Sequence, residues 1–211
     1  MIKAVIFDLS GVIIFPAKLN PALRRMARLT NTKRKKFLEC FYSSYNIAKL
    51  GKMTENQLFR NVIADCRIRF NINRLKNELR KHKRKNLSIL NLIKELRKKG
   101  IKTALLSNTV KEWFIEDSKF VNLDSLFDRI IVSFEEGIAK PSPKIYKTTA
   151  KRLGVQLKDC LLVDDLERNI KGAKKIGMKG IVYKNVNDLK RKLIKTIDGT
   201  LLQKTRGINR L

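Results

Sequence analysis

Short, unbroken apolar runs that end on a polar residue recur along the chain. Ala4–Phe7 runs into Asp8, Thr103–Leu106 into Ser107, Ile130–Val132 into Ser133 and Cys160–Val163 into Asp164, and a fifth run lies at Gly180–Tyr183. Runs without polar alternation suit strands covered on both faces. Amphipathic stretches separate them. Ser88 is placed to cap a helix carrying Ile89, Leu92, Ile93 and Leu96, with Lys98 and Lys99 in the last turn and Gly100 as terminator. Ser142 and Pro143 open a second helix that Gly154 ends, and Glu167–Ile176 makes a third, closed by Gly177. Alternation of strand and helix predicts an α/β fold, a parallel sheet flanked by helices with right-handed crossovers.

One part does not alternate. From about Pro16 to Leu87 the pattern is helical throughout, with stretches at Pro21–Leu29, Lys33–Leu50, Thr54–Cys66 and Ile72–Lys83 and breaks near Asn31, Gly51 and Asn71. The expected organisation is a core of residues 1–15 and 88–197, a small helical subdomain over 16–87, and a basic tail over 198–211.

Composition narrows the class. Apolar residues make up 43% of the 211, enough for a sizeable core, and no apolar run approaches the roughly 20 residues that cross a bilayer. Asp8 interrupts the first apolar stretch and a single Lys3 precedes it, which does not read as a signal peptide; a soluble, cytoplasmic protein without a membrane partner is expected. Cys40, Cys66 and Cys160 are widely spaced and odd in number, as reduced thiols are. Lysine and arginine number 48 against 19 acidic residues, a formal net charge of +29. Such a balance attracts polyanions. One tryptophan and 7% aromatics are too few for a base-stacking surface, so nucleic acid is the less favoured partner. His82, the one histidine, lies within the basic run Lys81–Lys85 and receives no catalytic role.

A carboxylate at the end of a buried strand is costly without a task or a partner. Ligands of an open parallel sheet bind beyond the carboxyl ends of its strands, where Asp8 and Ser10, Ser107 and Asn108, the Lys140 loop, and Asp164 with Asp165 would gather. Three carboxylates together repel one another unless a cation intervenes, and carboxylate and phosphate oxygens suit Mg²⁺. Lys140 adds a second positive charge, and Ser107 and Asn108 supply donors for an anion. Such a set describes phosphoryl transfer to a carboxylate nucleophile.

These residues resemble the four motifs of the haloacid dehalogenase-like hydrolase superfamily. Ile6-Phe7-Asp8-Leu9-Ser10-Gly11-Val12 is similar to the first motif and Leu105-Leu106-Ser107-Asn108 to the second. Gly137-Ile138-Ala139-Lys140-Pro141-Ser142-Pro143-Lys144-Ile145-Tyr146 is close to the third, and Leu162-Val163-Asp164-Asp165-Leu166-Glu167-Arg168-Asn169 to the fourth. The resemblance covers about Met1–Phe15 and Ser88–Tyr183 and implies a Rossmann-like core with a helical cap inserted after the first motif. The subgroup it points to includes sugar-phosphate phosphatases and the N-terminal phosphatase domains of epoxide hydrolases.

The resemblance implies that Asp8 is a nucleophile forming an aspartyl-phosphate, and that Ser107 and Asn108 hold the phosphoryl group. Lys140 would position Asp8 and neutralise charge. Mg²⁺ would be held by Asp8, the Ser10 carbonyl and Asp165, with Asp164 beside it and Asn169 in support. Ser10 departs from the family pattern, which usually has a second aspartate there to protonate the leaving alcohol. A serine hydroxyl cannot replace it near pH 7, so a small phosphorylated substrate with a good leaving group is expected. Two other functions compete: a catalytically weak relative whose basic surface binds RNA or another polyanion, and a metal-independent 2-haloacid dehalogenase.

Overall fold

The first apolar run, Ala4–Phe7, forms strand β1, buried at all four positions. The computed structural model describes residues 1–15, 19–81 and 83–197, so the expected tail from 198 and His82 lie outside the described residues. After β1 come a two-residue strand β2 (Ile14–Phe15) and the helices α1 (Leu19–Leu29), α2 (Arg34–Ala48), α3 (Glu55–Cys66) and α4 (Ile72–Arg80). A second two-residue strand, β3 (Arg84–Lys85), leads into α5 (Leu87–Lys98), β4 (Lys102–Ser107), α6 (Lys111–Val121) and β5 (Arg129–Val132). The short α7 (Ser133–Glu136), α8 (Pro143–Leu153), β6 (Cys160–Asp164), α9 (Glu167–Lys174), β7 (Lys179–Val182) and α10 (Val186–Thr196) complete the order.

Five strands form one sheet in the order β5-β4-β1-β6-β7, parallel at every pairing. Alternate residues of β1 serve opposite faces, which is why the run is apolar without a break. Val5 and Phe7 pack with Ile89, Ile93 and Leu96 of α5 and with Leu189 and Leu193 of α10. Ala4 and Ile6 pack with Ile145, Tyr146 and Ala150 of α8 and with Ala173 of α9. Phe7 lies opposite Leu105 on one neighbour and Val163 on the other, so Asp8, Ser107 and Asp164 emerge at one edge. Strand order reverses beside β1, and at that reversal the loops diverge and open a crevice.

Two local expectations are corrected. Ser88 does not cap α5: Asn86 does, its Oδ1 accepting from Ile89 N–H at 3.4 Å while its Nδ2 donates to the Val12 carbonyl and to Tyr183 Oη. The stretch read as wholly helical also contains β3, which pairs antiparallel with β2 (Ile14 opposite Lys85, Phe15 opposite Arg84). Two exposed basic residues carry no alternation that could reveal a strand.

Helices α1–α4 enclose their own apolar cluster, with Leu23, Met26, Phe37, Phe41, Phe59 and Leu75 fully buried. This helical block sits over the carboxyl edge of the sheet and is fastened there at several points. Tyr45 of α2 donates its hydroxyl to the Asn108 carbonyl at 3.1 Å, and the Lys49 carbonyl accepts from Ser133 Oγ at 2.6 Å. Gly51 adopts φ +76°, and a Cβ there would stand 2.3 Å from the Phe134 carbonyl oxygen, so only glycine permits this approach. Glu55 of α3 accepts from Trp113 Nε1 of α6 at 2.7 Å and pairs with Arg80 and Lys76 of α4.

Burial opposes the Glu55 charge, but hydrogen bonds from Arg80 and Trp113 and the nearby cations outweigh it and hold the carboxyl below its ordinary 4.5. A carboxylate with a lowered pKa contributes stability that is present above the unfolded value and lost as pH falls through the folded one. Trp113 emission, from the one tryptophan of the chain, is therefore expected to change as pH drops below about 4.5, and Glu55→Gln to remove that transition. Glu55→Gln should also cost about 1.5–3 kcal/mol in urea denaturation at pH 7. A pH profile of Trp113 emission identical in wild type and variant would detach Glu55 from this role.

Candidate active site

Asp8 follows β1, its N–H donating to the Val163 carbonyl at 2.9 Å and thereby tying it to the end of β6. The chain reverses directly after it: Ile13 and Ile14 N–H both donate to the Leu9 carbonyl, and Gly11 takes φ +89°. The turn leaves Asp8 at 7% exposure and Ser10 exposed, both lining a cavity of about 510 Å³ beneath the helical block. Asp8 Oδ1 accepts from Leu9 N–H at 2.8 Å and from Lys140 Nζ at 2.9 Å. Among the described residues no hydrogen bond falls on Oδ2.

Lys140 is 3% exposed and uses all three of its donors: Asp8 Oδ1, Asp164 Oδ2 at 2.6 Å and the Leu106 carbonyl at 2.7 Å. Asn108 fixes the loop that carries it. Its Nδ2 donates to the Lys140 carbonyl at 2.9 Å and its Oδ1 accepts the Lys140 N–H at 2.8 Å. Both polar atoms of the Asn108 side chain are thereby engaged, and what it turns to a bound anion is backbone. Ser107 is buried to 1% exposure behind the cavity wall.

Asp164 is completely buried. Its Oδ1 accepts from Leu166 N–H at 2.9 Å and from Asn169 Nδ2 at 3.0 Å; its Oδ2 accepts from Lys140 and from Asn169 Nδ2 at 3.0 Å. Asp165, by contrast, lines the cavity with Asp8 and Asn169. Asp8, Asp164 and Asp165 each bring a carboxylate oxygen within 4.8 Å of the others.

Three carboxylates against one ammonium leave an excess of negative charge. Burial raises the Asp8 pKa most; Lys140 opposes it, Asp164 and Asp165 add to it, and the result is about 7. Burial also opposes the charge of Lys140, but Asp164 and Asp8 overcome it and hold its ammonium above the ordinary lysine range. Asn169 Oδ1, beside the cluster, is buried and has no hydrogen-bond partner among the described residues. A cluster of hard oxygen donors with uncompensated negative charge fits a small divalent cation such as Mg²⁺.

A family model for haloacid dehalogenase-like hydrolases matches residues 2–177, most of the chain. The chain belongs to that family. Over 92 residues this haloacid dehalogenase-like hydrolase is 36% identical to a glyceraldehyde 3-phosphate phosphatase from Pyrococcus furiosus, covering 42% of this chain and 38% of that one. It is 26% identical to bifunctional epoxide hydrolase 2 from Sus scrofa over 226 aligned positions, covering 96% of this chain and 40% of the relative. The chain thus spans well under half the length of these curated relatives. A HAD family enzyme from Bacteroides thetaiotaomicron, solved in complex with magnesium and inorganic phosphate, shares the fold at a TM-score of 0.72 and 21% identity, covering 87% of this chain and 95% of that one.

The cavity also has a roof that motif spacing did not disclose. Tyr42 and Tyr45 of α2 and Lys49 at its C-cap line it, and Arg168 lines it from the first turn of α9. The three lie at i, i+3 and i+7, one helical face continued into the cap, a signal present in the sequence that only knowledge of the opposite wall makes readable. Among the described residues of this hydrolase, no helix is long and apolar enough to cross a membrane.

Proposed function

We propose that this hydrolase is a Mg²⁺-dependent phosphatase of small phosphorylated metabolites. The observation that supports this reading best is the setting of Asp8: one oxygen held by Lys140 and Leu9 N–H, the carboxylate facing a cavity, and two more carboxylates within ligand distance. Oδ2 of Asp8 attacks phosphorus as the ester P–O bond breaks, giving an aspartyl-phosphate and the released alcohol oxygen. Water then attacks phosphorus and returns Asp8 and inorganic phosphate. Lys140 holds the nucleophile at the sheet edge and balances its charge. The backbone after Ser107 and Asn108 offers donors to the phosphoryl oxygens.

Asp8, the Ser10 carbonyl and Asp165 would hold the metal, which when bound offsets phosphoryl charge and keeps Asp8 ionised. Asp164 acts differently: with both oxygens taken by Lys140, Leu166 N–H and Asn169, it aims Lys140 at Asp8. The carboxylate cluster favours this reading over a metal-independent dehalogenase, which has no use for so much negative charge beside its nucleophile.

Ser10 sets the limits of the chemistry. It lines the cavity two residues after the nucleophile, and its hydroxyl is too weak an acid to protonate a leaving group near neutral pH. Aryl, acyl and sugar 1-phosphates, whose leaving oxygens need little protonation, are the expected substrates. The test is a panel of phosphate esters with and without Mg²⁺ on wild type and Ser10→Asp. Wild type should turn over p-nitrophenyl phosphate only with the metal, and Ser10→Asp should raise turnover of alkyl phosphates by up to about 10²–10⁴-fold. Aryl-phosphate turnover that is undetectable in both proteins would refute the phosphatase reading.

A further inference from the structure

The cations around the cavity divide into two kinds. Among the described residues, Arg25 pairs with Glu78 at 3.0 Å, Arg80 with Glu55 and Glu116, Lys81 with Glu78, Lys83 with Asp117, and Lys140 with Asp8 and Asp164. Lys49 and Arg168 line the same cavity and, among the described residues, pair with no carboxylate. Lys49 Nζ donates to Asn46 Oδ1 at 2.7 Å and lies 5.5 Å from the centre of the Tyr45 ring, both neutral groups. Glu167, next to Arg168, turns instead to Lys171 at 3.0 Å. Both cations reach the same cavity, and after burial the Arg168 charge also weakens the Lys49 ammonium. Cations that line one cavity repel each other, and an anion bound between them relieves that repulsion.

We propose that Lys49 and Arg168 form a second anion subsite, so that the hydrolase acts on small phosphate monoesters bearing a further anionic group, a carboxylate or a second phosphate, remote from the scissile ester. This rests on the phosphatase reading of the Asp8 end. Asp8 is held by Lys140 and Leu9 N–H at the sheet edge, whereas Lys49 lines the cavity from the C-terminal end of α2 and Arg168 from the start of α9. The backbone on both sides is fixed, because Ser133 Oγ donates to the Lys49 carbonyl at 2.6 Å and Arg168 lies in the first turn of α9, next to Asn169. A guanidinium beside an ammonium suits the paired oxygens of a carboxylate or phosphate.

Three matched esters test this: glycerol 3-phosphate, 3-phosphoglycerate and glycerol 1,3-bisphosphate. Each is titrated as a competitor of p-nitrophenyl phosphate turnover in wild type, Lys49→Gln and Arg168→Gln, and by calorimetry into Asp8→Asn with and without the same changes. Wild type should bind at least one doubly anionic ester about tenfold or more tighter than glycerol 3-phosphate, and each substitution should remove about tenfold of that preference. Which of the two esters gains separates a carboxylate from a phosphate partner. No preference in wild type, or a preference that both variants retain, overturns the subsite while leaving aryl-phosphate turnover as support for the phosphatase. If no ester is turned over, the phosphatase reading fails, and the calorimetric preference still decides the subsite.

Discussion

Asp8→Asn is expected to reduce p-nitrophenyl phosphate turnover at least about 10⁴-fold, the scale seen when a covalent nucleophile is removed. An amide oxygen is too weak a base to attack phosphorus, and no other described group occupies the same place: Asp164 has both oxygens engaged and is sealed from the cavity. The substitution should not damage the fold. Lys140 keeps Asp164 at 2.6 Å and the Leu106 carbonyl at 2.7 Å, and one of three crowded carboxylates becomes neutral. Without metal the variant should melt at or above the wild-type temperature, and the rise in melting temperature on adding Mg²⁺ should shrink. Turnover within tenfold of wild type, in a preparation free of wild-type protein, would remove Asp8 from the nucleophile's position.

Lys140→Met should be the most destabilising single change at the site, costing about 3–5 kcal/mol at pH 7.5, because it leaves buried carboxylates without their ammonium. The cost should depend on pH with a definite sign. Asp8 already has its pKa raised to about 7, and without Lys140 it rises further. A carboxyl with a raised folded pKa binds a proton that the unfolded chain gives up, so stability increases as pH falls from the folded value towards the unfolded one. The gap between Lys140→Met and wild type should therefore narrow between pH 7.5 and about 5, and Mg²⁺ should narrow it at pH 7.5. Denaturant titrations at the two pH values, with and without metal, measure both effects. A gap that widens on acidification would show that Lys140 is not the counter-ion of Asp8. Lys140→Arg should not restore activity, since a planar guanidinium cannot reach Asp8, Asp164 and the Leu106 carbonyl with the same three donors.

The parts of this protein legible in its sequence are those in which one residue's environment follows from its neighbours in the chain. β1 and β6 are apolar because both faces are covered, and each leads into a site carboxylate because the sheet edge is where water and ligand begin. Pro143 and Gly154 mark the ends of α8 by backbone constraint alone. What stayed hidden depends on partners distant in sequence. Asn86 caps α5 while its amide also reaches Val12 and Tyr183, contacts that no local pattern encodes. Adjacent Asp164 and Asp165 look alike in the chain, yet one is sealed against Lys140 and the other faces the cavity. Asn108 resembles an anion donor until its side chain is found clamped on the Lys140 backbone. Tyr42, Tyr45 and Lys49 make sense only once the wall opposite α2 is known.

The small antiparallel pair of β2 with β3 bears on how the chain finds this arrangement. Central β1 must join β4 across the whole helical block, and loop-closure entropy rises with the length of free chain to be closed. Contacts within α1–α4 are local in sequence and form early in such a search. Once that block has collapsed and Ile14 has met Lys85, the two ends of the insertion lie side by side, and the free chain between β1 and β4 shrinks to the turn after Asp8 and the α5 segment. Two residues on each side, too short to matter as a sheet, thereby shorten the loop that the β1–β4 pairing has to close.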